Sequence, residues 1–164
     1  MLHPRSTPGR VSGLLRNSPV KYTTNITVGF RHVDWARIVF YPRYFEMFNQ
    51  VVEQWFEESL QCPFYRLHEE WGNGIPLVDS ACQFSRANHL GEQITFTLGV
   101  QKLGSRSFTV VIEGLHRGEL CVSARLTMVW VTLSEPLAAI PIPDSVRQVM
   151  ADYLATSDES EAIA

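Results

Sequence analysis

DWARIVFYPRY, residues 34–44, is the stretch on which the fold turns. Pro42 has a fixed φ and no N–H, so it suits the first residue of a helix. Beyond it, Tyr44, Phe45, Phe48, Val52, Trp55, Phe56 and Leu60 recur at three- and four-residue spacing. That spacing predicts a helix of about five turns with one broad apolar face. Glu46, Gln50, Glu53, Glu57 and Glu58 supply its polar side, and Cys62-Pro63 ends it. Upstream, residues 22–30 (YTTNITVGF) are rich in β-branched and aromatic types and read as a strand. Between strand and helix stands Asp34, the first carboxylate of the chain. Such an anion can serve as base or nucleophile, and free N–H groups at a helix start can stabilise an oxyanion.

The second half changes period. Residues 64–73 read as a loop or short helix. Residues 75–86, 92–102, 106–116 and 119–132 then read as four antiparallel strands, broken at Asn88 to Gly91, Gly104 and Gly118. Alternation such as Leu120, Val122, Ala124, Leu126, Met128, Trp130 means one covered face. A proline-bearing connector, 136–143, leads to a short helix capped by Asp144 or Ser145 and running to Tyr153. The long helix is too apolar to lie exposed. The expected class is therefore α+β, a curved antiparallel five-stranded sheet wrapped around one central helix. One sheet leaves an edge strand bare, so a homodimer or homotetramer is expected.

Composition narrows the function. The chain has 164 residues, 45% hydrophobic and 19% charged, with a net charge of −3. That suits one soluble domain and gives no reason to expect nucleic-acid binding. No apolar run is long enough to span a membrane. Cys62, Cys82 and Cys121 form no Cys-x-x-Cys pair, which fits a reducing cytoplasm and argues against zinc. The five histidines show no metal-ligand spacing, and no cofactor or metal is expected. Residues 1–20 contain Pro4, Pro8, Gly9, Gly13 and Pro19 and are expected to be a flexible extension. Residues 21–154 form the domain, and 155–164 an acidic, disordered tail.

Asp34, Ile38, Val39, Phe40, Tyr41, Pro42 and Tyr44 together resemble the motif that opens the central helix of hotdog-fold acyl-CoA thioesterases, specifically the 4-hydroxybenzoyl-CoA thioesterase family. The resemblance extends to Ile75-Pro76-Leu77-Val78 with Phe84, to Arg106-Ser107-Phe108, and to Ile140-Pro141-Ile142-Pro143, covering about residues 22–153. It implies a hotdog fold and hydrolysis of an acyl-CoA, with the acyl site between protomers. It implies that Asp34 attacks the thioester carbonyl or activates water, and that the Tyr41 backbone N–H polarises that carbonyl. Three positions depart from the pattern. Arg37 stands where the family has glycine, His32 where many members carry an acid, and Tyr41 where some carry histidine.

Several residues carry a bland alternative. Asp34 lies eight residues before Pro42, too far for an ordinary helix cap. His32 and Asp34 alternate on an extended backbone and could form a dyad, although a solvated or satisfied histidine is the simpler expectation. Glu46 is expected on the polar face. Cys82 and Cys121 are expected to be core thiols. Among bases near turns, Arg106 matches the family's basic turn and Arg86 is a weaker candidate for the phosphates of CoA. Arg37 could reach a substrate carboxylate or a phosphate. Trp35, Phe40 and Tyr41 make an aryl or short acyl group the better guess. The rivals are a non-catalytic acyl-CoA or lipid-binding hotdog protein, which Arg37 motivates, and a thioesterase for acyl carrier protein.

Overall fold

A computed structural model describes residues 20–155; the expected N-terminal extension up to residue 19 and the tail from residue 156 lie outside the described residues. Strand β1 (Tyr22–Thr27) buries Tyr22 and Ile26 in the period of a half-covered strand. It stops short of the expected residue 30. The Gly29 N–H goes to His32 Nδ1 and the His32 N–H returns to the Gly29 carbonyl, which curls Phe30–His32 into one 3-10 turn. Helix α1 (Pro42–Glu58) starts at Pro42 as expected and buries Tyr44, Met47, Phe48, Val51, Val52, Trp55 and Phe56. Phe45, assigned to the apolar face from spacing alone, stays partly exposed. Gln61, left-handed at φ 53°, turns the chain out of the helix.

Five strands make the main sheet. After β2 (Asn73–Gly74) come β3 (Leu77–Phe84), β4 (Gln93–Leu103), β5 (Ser107–His116) and β6 (Glu119–Val129). Their order is β1-β4-β5-β6-β3, every neighbouring pair antiparallel. β3 thus passes over its sequence neighbour β4 to pair with β6, and it forms one bare edge. It begins after Pro76, which has no N–H to give a ladder. The expected strand 119–132 breaks at Trp130. The Trp130 N–H turns to the Arg106 carbonyl and its ring stacks on Phe56 at 6.2 Å. The chain then enters a small second sheet, in which β7 (Val131–Thr132) lies between β2 and β8 (Ala138–Ala139). Helix α2 (Asp144–Asp152) corrects the expected cap: Pro143 holds the N-cap position with no side-chain bond. Asp144 sits inside the first turn, where its charge complements the helix dipole.

The core lies between α1 and the inner face of the sheet. Ile94, Phe96, Leu98 and Val100 of β4 alternate inward, as do Phe108, Val110 and Ile112 of β5 and Val122, Ala124, Leu126 and Met128 of β6. Phe48 meets the edge of Phe96 at 6.2 Å, and Trp55 and Phe56 pack on Phe108. Burial of this helix stripe is the main favourable term, since a large core side chain is worth about 1.5–3 kcal/mol. No helix among the described residues is long and apolar enough to cross a membrane.

Gly114 lies on the inner face under tightly packed neighbours. A Cβ there would come within 2.8 Å of both Phe96 Cε1 and Val122 Cγ1. Gly114→Ala should therefore overpack the core and cost about 1–3 kcal/mol in urea unfolding; an unchanged midpoint would contradict this packing.

Candidate active site

Residues 33–39 double back on themselves. Val33 bridges Val39, the Asp34 N–H bonds the Ile38 carbonyl at 3.1 Å, and the Arg37 N–H bonds the Asp34 carbonyl at 2.9 Å. This is the pattern of a three-residue hairpin loop whose last residue is left-handed. Arg37 has φ 64°, so it adopts the conformation usually reserved for glycine. The Asp34 carboxylate accepts the Ala36 N–H on Oδ1 at 2.8 Å, a local side-chain turn that fixes its direction.

The hairpin is tied to the segment before β4. Ile38 bridges His89, the Val39 N–H bonds the Asn88 carbonyl at 2.9 Å, and His89 Nδ1 lies 3.1 Å from the Arg37 carbonyl. Phe30, Val33, Asp34, Trp35, Arg37, His89 and Leu90 line a cleft of about 740 Å³. Its apolar rim is open to solvent: Trp35 is 99% exposed and Phe30 85%. That much exposed apolar surface beside a carboxylate suits a ligand or partner that is part apolar.

A buried polar cluster supports the cleft from beneath. The Asn88 side chain accepts the Tyr44 hydroxyl at 2.9 Å and donates to Glu92 Oε2 at 2.9 Å. Glu92 also takes the His89 N–H at 3.2 Å, and it faces His116 and Arg86 at 3.8 and 3.7 Å. His116 donates Nδ1–H to the Gln93 carbonyl at 2.8 Å, since a carbonyl can only accept. Burial works against the Glu92 charge, but the Asn88 amide, the His89 N–H, His116 and Arg86 outweigh it and hold the carboxyl below its usual range. Desolvation, with smaller contributions from Cys121 and Glu92, raises the Tyr44 phenol to about 12, so it stays a donor.

Tyr41 immediately precedes α1, at φ −52° and ψ −35°. The first helical N–H groups are taken: Arg43 bonds the Phe40 carbonyl at 2.8 Å and Tyr44 the Tyr41 carbonyl at 3.1 Å. Among the described residues, no backbone acceptor takes the Tyr41 N–H. Phe40 is anchored by its N–H to the His32 carbonyl and its ring meets the Tyr41 ring edge-on at 5.3 Å, outside the lining of the Asp34 cleft.

The other candidates disperse. Arg86 is already paired with Glu92 and with Glu119 at 3.4 Å. Arg106 lies in the β4–β5 hairpin, whereas the Asp34 loop is tied to Asn88 and His89, just before the opposite end of β4. A full strand of about ten residues, roughly 30 Å, separates them within one chain. His32 is buried, with its ring engaged by Gly29 and Arg31 rather than Asp34; burial first, then Arg31, lowers its pKa. Glu46 is exposed and paired with Arg43. Burial raises the Cys82 thiol to about 11, which removes it as a nucleophile at neutral pH. A second, mostly apolar groove of about 490 Å³ runs along α1 between Phe45, Phe48, Val52, Phe64, Leu77 and Met128. Sequence reasoning had not singled out His89, Leu90, Phe30 or the Asn88–Glu92 pair. The one signal was position, a polar turn sequence between two strands.

The chain matches the thioesterase-like superfamily over residues 28–150, and it belongs to that family. A relative, 1,4-dihydroxy-2-naphthoyl-CoA hydrolase from Nostoc punctiforme, is 28% identical over 97 residues; the match spans 57% of this chain and 63% of that protein. A gentisyl-coenzyme A thioesterase structure superimposes with a TM-score of 0.72 at 26% identity, covering 79% of this chain and 99% of the other. The 4-hydroxybenzoyl CoA thioesterase of Pseudomonas sp. strain CBS-3 superimposes with a TM-score of 0.73 at 20% identity, covering 79% and 98%, and shares the fold. The architecture is the hotdog fold, as expected from the sequence.

Because Glu92 has a lowered folded pKa, its contribution to stability should be complete above the unfolded glutamate value of about 4.3 and fade as pH falls through the folded value. Glu92→Gln should be less stable than wild type at neutral pH, with the gap closing on acidification. Urea unfolding at a series of pH values checks this; a gap that persists undiminished in acid contradicts it.

Proposed function

We propose that this protein hydrolyses an acyl-CoA to the carboxylate and free CoA. Two observations carry the reading: Asp34 stands at the cleft, fixed by the Ala36 N–H, and the Tyr41 N–H at the start of α1 meets no backbone acceptor among the described residues. The Asp34 carboxylate attacks the thioester carbonyl, or takes a proton from the water that does. Either way the C–S bond breaks, CoA leaves as thiolate and takes up a proton, and water supplies the new carboxylate oxygen. Negative charge develops on the carbonyl oxygen. The Tyr41 N–H, with the helix dipole behind it, is suited to receive it, and such a donor is worth about 3 kcal/mol in the transition state.

An aryl or short acyl group is the favoured substrate. Phe30 and Trp35 give the cleft flat apolar walls, and the Nostoc and gentisyl-CoA relatives are named for aryl-CoA substrates. Arg37 stands at the same cleft, and its left-handed φ shows that an arginine fits the glycine-like turn without displacing it. The cost of that conformation is about 1–2 kcal/mol, which a folded domain tolerates. This supports the catalytic reading over a non-catalytic binding protein, and hydrolysis across an acyl-CoA panel separates the two.

The active unit is proposed to be at least a dimer. Arg106 lies a strand length from the Asp34 of its own chain, and β3 is a bare edge with Leu77, Val78 and Phe84 exposed. Antiparallel pairing of two β3 edges sets the Leu77 end of one chain beside the Phe84 end of the other. Arg106 of one copy then approaches the Asp34 cleft of its partner.

Asp34→Asn should keep the fold and lose activity on the order of a hundredfold or more, while Glu46→Gln does little. Steady-state rates over aromatic, short and long acyl-CoAs decide this, and near wild-type kcat for Asp34→Asn would sink the assignment. On the best substrate, Arg37→Gly should retain turnover, whereas Arg37→Glu should raise KM by reversing a charge near an anionic substrate. Sedimentation should show a dimer or larger; an active monomer at micromolar concentration would contradict the shared site.

A further inference from the structure

We propose that His89 is a positioning residue for Asp34, acting through the Arg37 carbonyl; this rests on the hydrolase reading above. The hairpin that carries Asp34 projects into solvent, and most of its hydrogen bonds are internal: Asp34 N–H to Ile38, Arg37 N–H to Asp34, Ala36 N–H to Oδ1. Internal bonds set the shape of the loop but not its aim. Aim depends on bonds to the body of the domain. The returning arm of the hairpin is bridged through backbone to Asn88 and His89, and among the described residues the one side chain of the body that hydrogen-bonds residues 34–38 is His89, with Nδ1 3.1 Å from the Arg37 carbonyl. A carbonyl only accepts, so Nδ1 carries the proton and donates. The bonded peptide is the one that leaves the left-handed residue, and left-handed backbone is unfavourable for a residue with a side chain.

His89 is itself held. Its N–H goes to the Glu92 carboxylate, and the neighbouring Asn88 is fixed to Tyr44 in the first turn of α1. A continuous line of contacts therefore links the helix that carries the Tyr41 N–H to the loop that carries Asp34. A positioning role differs from proton transfer by the ring, which would need the other nitrogen.

The test is a substitution series at His89 beside wild type and Asp34→Asn, on the best acyl-CoA. His89→Ala should lower kcat about tenfold with KM little changed, the signature of a reacting group out of place. Its thermal midpoint should stay near wild type, because the ring is exposed. His89→Asn places an amide N–H where Nδ1 stood and should restore most of kcat; His89→Gln places it where Nε2 stood and should not. Full activity in His89→Ala with Asp34→Asn inactive overturns this inference alone. Rescue by Gln instead of Asn, or a fall in kcat that merely follows a fall in stability across all three variants, also overturns it. A wild type inert on every thioester overturns the hydrolase reading and this role with it, whereas an active Asp34→Asn leaves hydrolysis standing and overturns the Asp34 assignment together with this role.

Discussion

The side chain of Asn88 joins parts of the molecule that the backbone leaves separate. It is wholly buried, and a buried amide without partners would be destabilising by about 1–3 kcal/mol per lost bond. Its partners come from two directions: the Tyr44 hydroxyl on the helix, and Glu92 at the start of β4. The backbone carbonyl of Asn88 receives the Val39 N–H and so closes the Asp34 hairpin against the sheet. The apolar stripe of α1 brings helix and sheet together without direction, since hydrophobic burial is indifferent to register. The directional bonds at Asn88 set how far along the sheet the helix starts, and therefore where Asp34 and Tyr41 stand relative to one another.

Much of this was legible in the sequence. The helix start at Pro42, the alternation in β4 to β6 and the α+β class follow from local chemistry and period. Arg37 was legible only as a departure from the family's glycine; that the turn keeps a left-handed residue there is read from the structure. What was not legible is non-local. Nothing in residues 75–86 says that β3 pairs with β6 instead of β4, because inward and outward alternation does not name a neighbour. That a strand length separates Arg106 from Asp34 within one chain was not legible either, because sequence motifs carry no distances. Phe45 read as core from spacing, yet the helix is covered on one side only. The cap at α2 was misplaced because Asp144 and Pro143 are both good candidates for a helix start, and the proline took the outer position.

The charges around the cleft are arranged by burial. Glu92 is kept ionised among four donors or cations, so its charge is neutralised locally and adds little field at the cleft. Arg86 is consumed in the same balance, between Glu92 and Glu119. Asp34 lies apart from that cluster, with one oxygen engaged by a backbone N–H. One carboxylate is thus structural and the other is left available, and the difference comes from the number of donors each one faces.

The left-handed backbone at residue 37 also limits which residues can ever occupy that position. Glycine enters freely, and asparagine and aspartate at small cost, because a short polar side chain can compensate with local hydrogen bonds. Valine, isoleucine and threonine are effectively shut out by the branch at Cβ. The choice of arginine is therefore drawn from a short menu set by geometry before any ligand is considered. Variation at this site across related sequences would report first on the turn and only then on the substrate.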